Sequence, residues 1–189
     1  MGREEPSAAQ RRIMDAALES FNFDGIRGVS AETIIERAGV AKMTFYKHFP
    51  TKEHLSAAYV RERSKRWMAW LQERVQQLGR TPKQRLLAVF DVLGEWFESE
   101  DYRGCPFHRA AAEYPDQKHP IHNEVSENKR QLHAYLIELA ADAGVPNRAD
   151  LARSLMILTA GAEVMCNIEG SAAYAKQARR SAARLLSKN

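Results

Sequence analysis

Cysteine is scarce: Cys105 and Cys166 are the only two in 189 residues, so there is no disulfide framework and nothing calls for an oxidising compartment. Sustained period-two alternation of apolar and polar residues is missing, which argues against strands. No apolar run approaches the roughly 18 to 20 residues that cross a bilayer, and the opening MGREEPSAAQRR lacks the apolar core of a signal peptide. Excess charge is small too: 28 Lys and Arg against 24 Asp and Glu leave +4, too little for a protein that packs DNA without regard to sequence. Internal repeats, low-complexity segments, a nucleophile elbow, a phosphate loop and a metal-hydrolase signature are also absent. These gaps point to a cytoplasmic, all-α protein with no membrane partner, and any nucleic acid must be met by a local patch.

Helical spacing of apolar residues fills the chain instead. Ile13, Met14, Ala17, Leu18 and Phe21 form the stripe of a first helix that ends at the Asp24-Gly25 turn. Ser30 is a good N-cap for a short second helix with Ile34, Ile35 and Ala38 on its buried side, and Gly39 supplies the stop. A third helix runs over Ala41 to His48 before Pro50, and Thr51 caps a long fourth helix reaching Gly79. Thr81-Pro82 opens a fifth. A short helix follows Gly104, another runs from Ile121 to Gly144, and two more cover about 148 to 169 and 171 to 187, the last capped by Ser171. The chain is long enough for two units: residues 1–54 and residues 55–189, about nine helices in all.

Residues 37 to 52 concentrate Arg37, Lys42, Lys47 and Lys52 with no carboxylate. Helix, glycine turn, helix is the arrangement that lays one helix across a DNA backbone and sends the next into the major groove. At 100° per residue, Phe45 and Phe49 fall on one side of the third helix and Met43, Thr44, Lys47 and His48 on the other. The aromatics pack; the outward face, with Tyr46 and Lys52 beside it, offers cations and hydroxyls to phosphates. Lys42, Met43 and Lys47 sit where side chains reach base edges, and a lysine there favours guanine N7 and O6.

Thr33, Ala38-Gly39-Val40, Thr44-Phe45-Tyr46, His48-Phe49 and Thr51-Lys52-Glu53 with Leu55 make residues 10 to 55 resemble the N-terminal domain of TetR/AcrR family transcriptional regulators. The resemblance implies an N-terminal helix-turn-helix domain and a C-terminal helical domain that binds an effector and dimerises through its last two helices. It also implies phosphate or base-edge contacts by Thr44, Tyr46, His48 and Lys52, and a backbone contact by Thr33. Two positions depart from the family pattern. Ala41 replaces the usual capping serine, at a cost of about 1 kcal/mol, and Met43 stands where a small residue is common, so no base preference carries over.

Farther along, Gly104-Cys105-Pro106-Phe107 followed by Ala110 to Tyr114 and Pro115 resembles one subgroup of TetR-like effector domains. Phe90, Trp96, Phe97, Phe107, Tyr114 and Met156, with Met165, are candidates to line an apolar cavity, and Glu163 or Asn167 to orient a ligand. Leu155, Leu158, Ala162 and Met165, with Ala160 and Gly161, form a candidate helix seam, as do Tyr174, Ala178, Ala182 and Leu185. The expected partners are a palindromic double-stranded operator, a small hydrophobic effector and a second copy of the chain, with no cofactor. The rival reading is a helical metal-dependent enzyme using Cys105, His108, His119 and His122. Pro106 and Pro120 interrupt those spacings, and an exposed polar turn explains the histidines, so no metal site is expected.

Overall fold

The computed structural model describes residues 6–187; the first five residues of the expected 1–54 unit and the last two of 55–189 lie outside the described residues. Among the described residues there are nine helices and no strand: α1 (Ala8–Gly28), α2 (Ala31–Ala38), α3 (Lys42–His48), α4 (Lys52–Leu78), α5 (Pro82–Phe97), α6 (Pro106–Glu113), α7 (Pro120–Asp142), α8 (Arg148–Glu169) and α9 (Ala173–Leu186).

Local chemistry sets most of the boundaries. Ser30 Oγ accepts from the Thr33 N–H at 3.0 Å and opens α2. Gly39, at φ 59, closes it with its own N–H on Glu36 O and that of Val40 on Ile35 O, the paired bonds of a left-handed stop. Thr81 and Gln84 form a reciprocal capping box at the start of α5. Two ends differ in part from the expectation. The first helix does break at the expected Asp24-Gly25 turn, at Gly25 (φ 76, ψ 165), but helix then resumes to Gly28. Ser171 does not cap the last helix directly: α9 starts at Ala173, whose N–H reaches Ser171 Oγ at 3.3 Å.

The helices gather into two compact units that divide the chain otherwise than at 54/55. One holds the residues up to Ser64 together with Pro106–Ser126; the other holds Lys65–Cys105 and the residues from Glu127 on. In the first unit α1 packs against α2, α3 and α6, around Ile13, Phe21, Ile34, Phe45, Leu55 and Tyr59, none more than 2% exposed. Phe21 meets Tyr59 edge to face at 5.1 Å, and Arg61 is held by the Glu124 carboxylate through Nε at 3.1 Å.

The same unit explains the break in α1. A helix interrupted at Gly25 leaves carbonyls without partners before the break and N–H groups without partners after it. Arg109 of α6 donates to Phe21 O and Asn22 O at 2.7 and 2.6 Å. Glu113, one turn along α6, accepts from Ile26 N and Arg27 N at 3.3 and 2.7 Å. One face of α6 thus satisfies both sides of the break, and the chain can continue in register toward Ser30.

In the second unit α9 packs against α8 and α5. Leu155, Ala162, Ala178 and Ala182, read from the sequence as seam residues, are buried within this unit. What α8 leaves uncovered is the opposite stripe, with Ile157 at 72%, Ile168 at 70% and Val164 at 44% exposure. That two-faced character has a further consequence. By length and composition α8 is apolar enough to cross a membrane, contrary to the sequence expectation, yet Thr159 and Glu163 lie on its buried side.

Tyr135 of α7 is 7% exposed, and its hydroxyl has no hydrogen-bond partner among the described residues. Burial pushes its pKa up to about 12, with Arg85 pulling down and Glu138 up. An unfolded tyrosine titrates near ~10. The unfolded chain therefore loses this proton first, and the contribution to stability is intact below about pH 10 and falls as pH rises through about 12. Tyr135→Phe is expected to be neutral or to stabilise by up to about 1 kcal/mol at pH 8, and to unfold less readily than the parent at pH 11. Urea midpoints at the two pH values check this; a loss of stability at both refutes it.

Candidate nucleic-acid interface

Seven residues make α3, and they divide by burial as the 100° step predicts. Phe45 is wholly buried and Phe49, just past the helix, is 5% exposed. Their rings lie 6.3 Å apart, and Phe45 meets Tyr46 edge to face at 5.1 Å. Burial of Phe45 and Phe49, with α3 packed on α1 and α2, holds the helix in the first unit and turns its other side outward. There Met43 is 86% exposed and Tyr46 37%; Lys42 and Lys47 are exposed, Thr44 and His48 half-buried.

Ala41 has backbone angles suited to a cap but makes no side-chain cap bond, as the missing serine hydroxyl requires. Lys42 Nζ lies 3.4 Å from Glu32 Oε1 of α2 and 6.0 Å from the centre of the Tyr46 ring. A backbone hydrogen bond, then Lys42, hold the Glu32 carboxyl below the ordinary carboxylate range. This pair is exposed on both sides, so it orients Lys42 while contributing little to stability. His48 Nε2 lies 3.2 Å from Ser7 Oγ, and Thr33 Oγ1 is 2.9 Å from Ser30 Oγ at the start of α2. Lys52 is half-buried, and burial lowers its pKa against the pull of Glu53 and Glu113. All eight residues read from the sequence as DNA contacts thus belong to one unit, at α2, α3 and the first turn of α4.

The candidate effector residues are distributed differently. Phe90, Trp96, Phe97, Met156, Glu163 and Asn167 belong to the second unit, whereas Phe107 and Tyr114 belong to the first. Tyr114 carries Arg27 over its ring at 5.1 Å and stacks on His119 at 4.6 Å. In the second unit Trp96 lies among Trp67, Phe97 and Tyr102, with ring centres 6.1, 6.0 and 5.1 Å away. The Tyr102 hydroxyl donates to Glu163 O at 3.2 Å. Burial, then Cys166 nearby, push that phenol well up. Glu163 is 2% exposed and its Oε2 lies 3.6 Å from Lys129 Nζ. Burial works against the Lys129 ammonium, but Glu163 and Cys105 together leave the pKa raised. Asn167 is exposed, and its Oδ1 approaches Gly104 (φ 82) so closely that a Cβ there would lie 2.6 Å away.

Sequence reasoning missed Trp67, Tyr102 and Lys129 in this polar and aromatic cluster, and Arg109 and Glu113 at the α1 break. The last two carried a signal, a basic and an acidic residue four apart on a short helix; the others carried none. Two of the three histidines in the rival metal reading, His119 and His122, have other work. His119 Nδ1 accepts from Ile121 N at 3.3 Å, and His122 Nδ1 donates to Tyr114 O at 2.9 Å, so both brace the turn into α7.

A short α2, a glycine stop and an outward-facing α3 carrying cations and hydroxyls define a helix-turn-helix DNA-binding protein. Residues 13–59 match the family described as bacterial regulatory proteins of the tetR family, and residues 82–182 match the tetracyclin repressor-like C-terminal domain. The chain belongs to the TetR family of transcriptional regulators. It is 26% identical over 149 residues to the HTH-type transcriptional regulator YjdC of Escherichia coli, covering 79% of this chain and 78% of that one. The HTH-type transcriptional repressor KstR of Mycolicibacterium smegmatis is 35% identical over 86 residues, 46% of this chain and 42% of KstR. Among solved structures, SCO4454, a TetR-family transcriptional regulator from Streptomyces coelicolor, superposes with a TM-score of 0.87 at 25% identity, over 96% of this chain and 95% of that one. These relatives are regulators, and nothing among them supports the enzyme reading.

Proposed function

We propose that the chain is a homodimeric repressor that binds a palindromic operator through α3 and leaves it when a small hydrophobic effector binds the C-terminal unit. The observation that carries the reading is the polarity of α3: Phe45 and Phe49 are buried while Met43, Tyr46 and Lys47 face outward. Thr33, Lys42, Thr44, His48 and Lys52 complete the DNA-facing set, with hydroxyls and cations suited to phosphates. Residues 1–54 act as the reading head and residues 55–189 as the effector and dimer part. The uncovered stripe of α8 supports dimerisation through the last two helices, and a two-fold pair of heads suits half-sites one helical turn apart.

The aromatic cluster of Trp96, Phe97 and Tyr102 favours an apolar effector held within the second unit, with Glu163 as its orienting group and Phe90, Met156 and Asn167 as further contacts there. Release is a population shift: an effector that binds better to a form with mis-spaced heads weakens operator binding by the same factor as the operator weakens it. The protein works in the cytoplasm, where its DNA is.

Selection of bound sequences from a randomised duplex pool tests the reading. The expected product is a palindromic consensus, with Lys47→Ala binding it more weakly by about 1 to 3 kcal/mol. Enrichment of no sequence, with binding that only follows salt, would refute sequence-specific reading by α3.

A further inference from the structure

We infer that Met43 selects thymine in each operator half-site by packing its side chain on the C5-methyl group in the major groove. The inference rests on the reading of α3 as the groove-facing helix and adds what that helix looks for. Met43 is 86% exposed, the most exposed of the large apolar residues among the described residues. It sits on the outward face one turn before Tyr46 and Lys47. The buried side of α3 belongs to Phe45, and Met43 takes no share in holding the helix.

Its polar neighbours have partners within the unit. Lys42 is drawn to Glu32 at 3.4 Å, and His48 lies 3.2 Å from Ser7. Those cations and hydroxyls suit phosphates and purine edges. A thioether does not, because its sulfur is at most a weak acceptor and it has no donor. In a groove lined by donors and acceptors, the one apolar surface a base offers is the thymine methyl. Packing against it removes apolar area from water on both sides, whereas cytosine or a purine at that place would leave the Met43 side chain facing polar atoms it cannot satisfy. Met43 is also unbranched and flexible, so it can follow the methyl without moving α3.

The test uses the full-length protein and its selected operator. Each half-site thymine is replaced in turn by uracil, which removes only the methyl, and affinity is read by fluorescence anisotropy for the parent, Met43→Leu and Met43→Ala. One uracil position should weaken the parent about four-fold per half-site, the value expected for one buried methyl-sized group. Met43→Leu should keep that sensitivity, and Met43→Ala should lose it while still binding the operator. Parent binding that is indifferent to uracil at every thymine, or equal uracil sensitivity in Met43→Ala, would overturn the inference while leaving α3 as the reading helix. Failure of the protein to select any sequence would remove the α3 reading itself, and the thymine inference with it.

Discussion

Gly25→Val is expected to lose on the order of 3 to 5 kcal/mol of stability, and with it DNA binding. At φ 76 and ψ 165 Gly25 occupies a region that side-chain-bearing residues essentially do not enter. That strain alone costs about 1 to 3 kcal/mol. A Cβ at this position would lie 2.7 Å from Glu113 Oε1. Glu113 can swing away, but it then abandons the N–H groups of Ile26 and Arg27, which it accepts at 3.3 and 2.7 Å. A lost hydrogen bond to a charged group adds about 1.5 to 3 kcal/mol. Because α1 packs on both α2 and α3, the reading helix loses its support along with the break. A melting temperature lower by roughly 6 to 20 °C is expected for a chain of this size. Gly25→Ala should show most of the strain with less crowding, and Glu113→Gln should show a smaller loss because an amide oxygen still accepts. Gly25→Val melting within about 2 °C of the parent would refute the account.

The contrast between α2 and α1 shows what a sequence of this kind discloses. Ser30, Gly39, Thr51 and Thr81 act on backbone groups within three or four residues, so the limits of α2 and the starts of α4 and α5 were readable from neighbours alone. The same local logic placed the break at Gly25 correctly but gave no sign that helix resumes beyond it to Gly28. The groups that let α1 resume, Arg109 and Glu113, lie 86 to 88 residues away. On α3 the aromatic and polar faces separated by angle, because one face is strongly apolar and the other is not. On α8 both faces are apolar, and nothing in the periodicity says which one the protein covers with its own α9. The Leu155 and Ala162 side was read as the seam, yet it is the side buried within the unit. Lys129 and Glu163 met on different helices with no shared motif to announce them.

The double substitution Ile157→Asp with Ile168→Asp is expected to turn a dimer into a folded monomer and to weaken operator binding on the order of 10²- to 10⁴-fold. Ile157, Gly161, Val164 and Ile168 follow one another at spacings of four, three and four along α8, which places them on a single stripe. The two isoleucines are 72% and 70% exposed and a Cβ at Gly161 would meet nothing within 4 Å. Contiguous apolar surface of this kind marks an interaction site, and a second copy laying the same stripe against it satisfies two-fold symmetry. Since the substituted side chains are mostly exposed and contribute little to the unit's own packing, the monomer should keep its helical circular dichroism and melt near the parent temperature. The loss should appear in sedimentation, as a halved mass, and at the operator, where one head can no longer raise the effective concentration of the other. A half-site duplex should then bind parent and variant alike. If the variant instead sediments as the parent dimer and keeps full operator affinity, the dimer is built on another face and the exposed stripe of α8 serves a different partner.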